Sequence, residues 1–545
     1  MSAPAALDRK HSLVILASSL GTVFEWYDFY IYGTLAAFFG KLFFPPNDGT
    51  AAYLSSLALF GVGFSVRPFG ALVFGRLGDL AGRKYTFLVT IIVMGLSTAL
   101  VGLLPTYSRI GFAAPIILVF LRLAQGLALG GEYGGAAIYV AEHAPEGKRG
   151  FFTGWIQTTA TLGLFIALVV IGVLRHFMTA EQFADWGWRV PFLLSFVLLG
   201  VSVYIRLKLE ESPVFAEMKA EGKGSKAPLT DSFARWGNAR IVLKVLFGAT
   251  AGQGVVWYTG QFYALYFLMT TLKVDYVRSY FLIASSLVLG AFMLVGFGRL
   301  SDLLGRKHII MAGLLLSVVT YQPLFRGLTR AANPALADAM EHSPVTLATA
   351  DYRGRLALTL EALGDAAEKI VLPTKHTSET DKARNYLNAR GIPFTLTPAV
   401  AGSPIVLSVG GRVVDGFSEK AYEAALAPAG YPKSADLAQM NTPVVLAILT
   451  VLLAYVAMVY GPIAAFLVEL FPTRVRYTSM SLPYHIGNGW FGGFLPLIAA
   501  SIVVFTGDIY AGLWFPIGVA AMSFVIGMLV LPETNKRDLT EDHNT

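Results

Sequence analysis

Long apolar runs, parted by short breaks rich in charge, proline or glycine, recur along the whole chain, and runs of this length leave the backbone little choice. In hydrocarbon every N–H and C=O must find its partner within the same segment, so a run of about 20 apolar residues has to be a membrane-spanning helix. The runs predict helices over about 13–40, 51–75, 85–104, 112–140, 151–174, 189–208, 242–272, 276–298, 308–328, 443–468, 478–506 and 510–531. The expected fold is an all-α membrane protein of twelve transmembrane helices in two six-helix halves. Composition agrees: 55% of residues are hydrophobic and 14% charged, with a mean hydropathy of +0.59, which excludes a soluble globular chain. The segment Met1–Ser12 is short and polar, and the apolar run after it is too long and aromatic for a cleaved signal, so it reads as a first permanent helix.

The charge of +7 does not point to nucleic acid, because Lys and Arg are dispersed among short loops rather than gathered on one stripe. They instead set topology. Arg9, Lys10, Arg83, Lys84, Lys148, Arg149, Arg306, Lys307, Arg474, Arg476, Lys536 and Arg537 all fall on one side, together with Lys219, Lys223, Lys226 and Arg235 of the middle loop. Lys41, Arg109, Arg175 and Lys273 are scattered on the other. Basic loops stay cytoplasmic, which places both termini there. The chain divides into an N-terminal half (1–215), a cytoplasmic middle loop (216–240), helices seven to nine (241–330), an insertion (331–441) and helices ten to twelve with a short tail (442–545). The insertion, about 110 residues, is too polar to span and too long for an ordinary connection. Its apolar spacing at Leu356, Leu358, Leu360, Leu363 and Ala366, strand-like 394–396 and 405–409, and Gly410-Gly411 at a hairpin turn predict a small α+β extracytoplasmic unit between helices nine and ten. It is a candidate surface for an extracytoplasmic partner. With no cysteine in the chain, that unit folds without disulfides.

The segment from Gly75 to Lys84, GRLGDLAGRK, returns from Gly298 to Lys307 as GRLSDLLGRK, differing only at its fourth and seventh positions. Each copy follows the second helix of its half, so the halves are parallel repeats, an arrangement suited to rocking about a central site. Gly75, Gly82, Gly298 and Gly305 allow a tight turn, while Asp79 and Asp302 can pair with a basic side chain such as Arg83 or Arg306, or with a helix N-terminus. Such a latch can open and reform. The pattern resembles the signature loop of the major facilitator superfamily. Within it, GTVFEWYDFYIYG from Gly21 to Gly33, Arg67-Pro68-Phe69-Gly70, Arg122–Gly126 with Gly130-Gly131-Glu132, Gly187–Phe192, Glu211-Ser212-Pro213, Glu469–Arg474 and Pro532-Glu533-Thr534 resemble the metabolite:H+ symporter family. The resemblance covers nearly all the membrane part and leaves out the 331–441 insertion. It implies proton-coupled import of substrates such as α-ketoglutarate, shikimate, citrate, betaine or proline, and a prokaryotic inner (plasma) membrane.

Ionisable groups at membrane depth are costly unless they are paired or face water, so each is a candidate for function. In the first helix Glu25, Asp28 and Tyr32 share one face, expected to look into the central cavity. Asp28 is the first choice for carrying the coupling proton, with Glu25 second. In the fourth helix Arg122 offers a bidentate fork for a substrate carboxylate or for a partner such as Asp28, with Glu132 a candidate resting counter-ion in the proton-coupling set. Arg67, before Pro68 in the second helix, is assigned to gating and kept as a second anion contact. The seventh helix supplies Gln253, Trp257, Tyr258, Gln261 and Tyr263, uncharged groups that suit the wall of a substrate site. Tyr484, His485 and Asn488 of the eleventh repeat that character. His485 serves a helix-to-helix hydrogen bond or a proton shuttle.

No phosphate-cradling Gly-Lys-Ser/Thr loop, metal-spaced His/Cys cluster or nucleophile elbow occurs, so an enzyme, a cofactor, a bound metal and an ATP-driven pump are all disfavoured. The expected partners are a small polar metabolite, a proton and the lipid bilayer. The leading function is a proton-coupled symporter of a small organic acid, a dicarboxylate or a shikimate-like metabolite. A zwitterionic osmolyte is the rival substrate, and a transporter-like receptor using the insertion is the rival class.

Overall fold

The computed structural model describes residues 9–45, 49–81, 83–131, 137–138, 140–141, 144–208, 236–350, 352, 378–471 and 476–537. The long helices follow the apolar runs. The first covers Arg9–Phe43, and the second is interrupted once, as Gly49–Ser65 and Arg67–Ala81. The third spans Arg83–Leu103, the fourth Ala113–Leu129, the fifth Arg149–Phe177 and the sixth Arg189–Lys208. The seventh runs over Trp236–Thr271, the eighth over Tyr276–Leu304, the ninth over Arg306–Ala332, the tenth over Thr442–Leu470, the eleventh over Thr478–Thr506 and the twelfth over Ala511–Val530. Among the described residues eight helices are long and apolar enough by themselves to cross a membrane, and a ninth counts if the bent pair Ala180–Gly187 and Arg189–Tyr204 is taken as one.

Two sequence features set the local geometry. The second helix breaks before Arg67 because Pro68 has no N–H to return to the carbonyl of Phe64. That carbonyl lies against Gly489 of the eleventh helix, and the Trp490 indole donates to the neighbouring carbonyl of Ser65 at 3.1 Å. Glycines govern the crossings. A Cβ on Gly126 would run into the Gly63 carbonyl, one on Gly130 into that of Arg67 and one on Gly70 into that of Leu127, so the second and fourth helices meet backbone to backbone. In the other half Gly461 sits against the carbonyl of Leu294, and Gly254 against that of Gly487.

The two halves meet along the first, second and fifth helices on one side and the seventh, eighth and eleventh on the other. Aromatic side chains fill the seam. Trp26 stacks on Tyr30 with ring centroids 5.1 Å apart, and Tyr30 on Trp257 at 5.5 Å, while Phe60 meets Phe262 and Phe64 meets Tyr258. Tyr266 donates its hydroxyl to the carbonyl of Gly33, and Tyr280 to that of Thr34.

The insertion follows the ninth helix through a short helix, Pro334–His342. It has a four-stranded sheet: β1 (Val345–Thr349), β2 (Thr395–Pro398), β3 (Val406–Val409) and β4 (Arg412–Asp415), in the order β2-β1-β3-β4. β1 and β2 are parallel, with Leu347 opposite Leu396, and the other pairings are antiparallel. Gly410 and Gly411, both at positive φ, make the two-residue turn between β3 and β4 that their pairing in the sequence predicts. Helices Glu379–Ala389 and Glu419–Leu426 cover the sheet with Ala383, Leu387, Tyr422 and Leu426, giving the insertion a core of its own. Strand β1 carries no turn signal that would mark it in the sequence. The helix expected around Leu356–Ala366 lies outside the described residues, as does the middle loop from 209 to 235.

The insertion docks on the second half. Asn388 Nδ2 donates to the carbonyl of Val504 at 3.0 Å, the Phe394 N–H to that of Gly507 at 3.0 Å and Lys273 Nζ to that of Ala389 at 2.9 Å. Its helix Glu379–Ala389 also touches the Gly49–Ser65 segment of the first half.

Candidate functional site

The face of the first helix that carries Glu25, Asp28 and Tyr32 looks into the first half's own bundle, which corrects the expectation that it lines the space between the halves. Asp28 accepts a hydrogen bond of 2.5 Å from Ser195 of the sixth helix. Tyr32 donates to the Ser56 carbonyl of the second at 3.1 Å. Glu25 is buried as well. Helical periodicity shows which residues share a face but not where that face points, and here the wide aromatics Trp26 and Tyr30 take the seam.

Arg122 has no exposed surface and lies inside the first bundle. Its guanidinium carbon is 4.3 Å from the Phe29 ring centre and 4.5 Å from that of Tyr32. Nη1 donates to Gln125 Oε1 at 2.7 Å, and Gln125 Nε2 donates in turn to Thr98. The carboxylate of Asp28 is taken up with Ser195 rather than with Arg122, and Glu132 lies outside the described residues. Among the described residues Nε and Nη2 of Arg122 have no hydrogen-bond partner.

Arg67 is 1% exposed and heads the second segment of the broken helix. Its guanidinium carbon stands 5.2 Å from the Trp26 ring centre and 5.3 Å from that of Phe64. The Phe64 ring in turn meets Tyr258 of the other half with centroids 5.2 Å apart. Nε and Nη2 have no partner among the described residues. The structure therefore places Arg67 in the seam, away from the signature loop with which the sequence grouped it.

The second half faces the seam with neutral polar groups. Gln253 and Asn488 exchange hydrogen bonds through their amides at 2.9 and 3.0 Å. Tyr460 and Tyr484 share one between hydroxyls at 3.0 Å, and the Tyr460 carbonyl accepts from Gln157 Nε2 of the first half at 3.2 Å. The imidazole of His485 is buried beside Tyr484 and the backbone of Gly130. Gln261, Trp257 and Tyr258 are also buried, and Tyr263 lies with Phe325, deeper within the second half. Gln261 and Asn488 fall in widened, π-type turns at Thr259–Tyr263 and Gly487–Gly492, local departures from α-helix that recur at functional sites.

The second copy of the repeat forms a junction between the halves. Asp302 accepts from the Gly150 and Phe151 N–H groups, at 2.8 and 2.9 Å, at the start of the fifth helix, and pairs with Arg306 at 2.6 Å. Arg306 also holds the buried Glu469 at 3.2 Å, which takes a further hydrogen bond from Thr534. Glu533 accepts from the Arg306 and Lys307 N–H groups. Gly298 admits Gly150 backbone to backbone, and Gly305 adopts a φ of 104° as the eighth helix turns into the ninth. Of the first copy, Gly75, Asp79 and Arg83 are described by backbone alone, and Gly82 lies outside the described residues. Ser195, Gln125, Glu469 and Glu533 were not among the candidate site residues. For the last two a signal existed, since both are lone acids within the family-like motifs.

A model of the sugar (and other) transporter family matches residues 13–239 and 424–544. The chain belongs to that family of the major facilitator superfamily. The match leaves out most of the insertion and, with it, helices seven to nine. A putative metabolite transport protein of Haemophilus influenzae is 31% identical over 97% of both chains. The shikimate transporter of Escherichia coli is 36% identical over 57% of this chain and 72% of its own length. The proline/betaine transporter of the same organism is 35% identical over 58% of this chain and 65% of its own. The xylose transporter XylE from E. coli, in a partially occluded inward-open conformation, superposes with a TM-score of 0.59 at 15% identity, over 97% of this chain and 99% of that one. The protein is thus a multi-pass membrane transporter of the major facilitator fold and not an enzyme.

Proposed function

We infer that this transporter imports a small organic acid together with a proton across the inner membrane, by alternating access, with both termini in the cytoplasm. The observation that carries the reading is the pair of buried guanidiniums, Arg67 and Arg122, each with Nε and Nη2 lacking a hydrogen-bond partner among the described residues. A buried cation left in this state costs several kcal/mol, and an anionic substrate offsets that cost when it binds. Asp28 and Glu25, buried in the same half, are the groups to carry the proton. The junction at Asp302, Arg306 and Glu469 closes one face and has to break for the site to open there. The kinship with a shikimate transporter supports an acid, while the proline/betaine relative keeps a zwitterion as the second reading, since it too carries a carboxylate.

The test is uptake of labelled shikimate, α-ketoglutarate and citrate, against betaine and proline, into proteoliposomes with an imposed inward proton gradient. Accumulation of an acid should collapse with a protonophore, and Asp28→Asn should lower it by about a hundredfold, as expected when an essential proton carrier is lost. Uptake of betaine or proline alone replaces the substrate class. Accumulation that Asp28→Asn leaves intact removes Asp28 from the proton path.

A further inference from the structure

The seventh helix ends in a grip that the insertion supplies. Its last turn, Phe267–Thr271, is widened and π-type like the one at Thr259–Tyr263, so regular α-helix is lost well before the end. Beyond it the Leu272 carbonyl accepts from Asn333 Nδ2 at 3.0 Å, and the Lys273 carbonyl from the Ala435 N–H at 3.0 Å. Lys273 Nζ donates to the Ala389 carbonyl, and a Cβ on Gly391 would run into the carbonyl of Thr271. Lys273 has a φ of 54° and is the one non-glycine residue at positive φ among the described residues. A long side chain keeps such a backbone only where its surroundings fix it, and here those surroundings are the insertion.

The same unit reaches the other half. Its helix Glu379–Ala389 is seated by Asn388 on the end of the eleventh helix, and it touches the Gly49–Ser65 segment of the second. At this end of the bundle Tyr266 and Tyr280, each about two turns from Lys273, donate across the seam to the carbonyls of Gly33 and Thr34. Rocking that opens this end has to part the insertion from the second helix, whereas the hold on Lys273 lies within one half and travels with it. A contact made in one state and absent from the other shifts the balance between them by its own free energy.

We propose that the insertion is a brace that holds its own end of the seam closed, seated on the seventh and eleventh helices of one half and bearing on the second helix of the other. It rests on the alternating access of the functional reading and not on its substrate. Without the brace, the state open on the insertion's side gains at the expense of the state open at the Asp302 junction.

The chain has no cysteine, so single thiol reporters read without background. Thr34, one turn beyond Tyr30 on the face that takes the seam, reports on the insertion's end, and Ser301, which lies against Gly150 of the first half, reports on the other. Thr34→Cys and Ser301→Cys are each placed in the full chain and in a chain whose residues 332–440 are replaced by a short glycine-serine turn. Membrane vesicles are then reacted with an impermeant maleimide added on the side that the reporter faces. Excision should speed labelling at Thr34→Cys by about tenfold, the change that one or two hydrogen bonds make in an equilibrium, and slow it at Ser301→Cys. Asn388→Ala unseats the brace in the full chain and should move both rates in the same directions by about threefold, which decides the matter if the excised chain does not fold. Unchanged rates, or rates that rise at both reporters because the fold has merely loosened, overturn the brace. If the wild-type protein moves an acid while labelling ignores both changes, this inference alone falls. If it moves no acid while the two rates shift oppositely, the functional reading loses its substrate and the brace stands.

Discussion

The two halves share a scaffold and differ in chemistry. In both, glycines let long helices touch backbone to backbone, at Gly126 and Gly130 in the first and at Gly254 and Gly461 in the second. Among their buried polar side chains, however, the first half has Glu25, Asp28, Arg67 and Arg122, whereas the second has Gln253, Trp257, Tyr258, Tyr460, Tyr484, His485 and Asn488. Duplication preserved what the helices need in order to pack and left the polar side chains free to diverge. The proposed function implies a division of labour, in which the first half handles charge and protons and the second orients the body of the substrate through neutral hydrogen bonds.

The shared scaffold makes the largest prediction. Gly126→Leu and Gly461→Leu each put side-chain atoms where a backbone carbonyl of the neighbouring helix now stands, so each should cost about 3 kcal/mol and lower the yield of monodisperse protein to a similar degree. If only one of them is tolerated, the halves do not depend on glycine in the same way.

The chemical difference makes a smaller one. Gln253→Leu or Asn488→Leu strands the partner amide and should cost about 1–2 kcal/mol, whereas the double variant should be close to wild type in thermal stability and still poor in substrate binding. Additive losses in the double-mutant cycle would mean that the pair is not coupled, and the neutral wall would lose its best-defined member.

The smallest concerns the insertion, which only the second half carries. Burial, and then the nearby charge of Lys41, push Lys273 down to about 8. The folded chain therefore holds this proton less tightly than the unfolded chain. The contribution to stability is absent below pH 8 and grows as the pH rises from there toward the ordinary lysine value. Relative to Lys273→Met, the wild-type melting temperature should gain about 1–3 °C over that interval. A constant difference between the two proteins would show that Lys273 does not titrate there.

Much of this architecture is legible in the sequence because hydrocarbon permits so few backbone solutions. Run length alone locates the long helices to within a few residues at most ends, and the eighth and ninth extend beyond their runs because the charged repeat between them is itself helical. The repeated decapeptide identifies the latch. Its partner stayed hidden, since the acceptor of the Gly150 and Phe151 N–H groups lies far away in the chain and backbone donors leave no mark on a sequence. The direction faced by Glu25, Asp28 and Tyr32 stayed hidden for a related reason: a helical wheel has no absolute orientation until its neighbours are known. In the insertion, Gly410-Gly411 announced its hairpin, while β1 and the helix Glu379–Ala389 follow no comparably local rule.

The chain leaves the ninth helix and enters the tenth at almost the same point, for the N–H of Asn441 donates to the carbonyl of Ala331 at 2.8 Å. The described residues between these two form a closed excursion with a core of their own, grafted at a single stem. A short turn in its place should leave the ends of the ninth and tenth helices where they are, at the loss of the contacts that Asn388, Phe394 and Ala389 make with the second half. The insertion is a handle fixed to one half of the molecule that reaches over to touch the other.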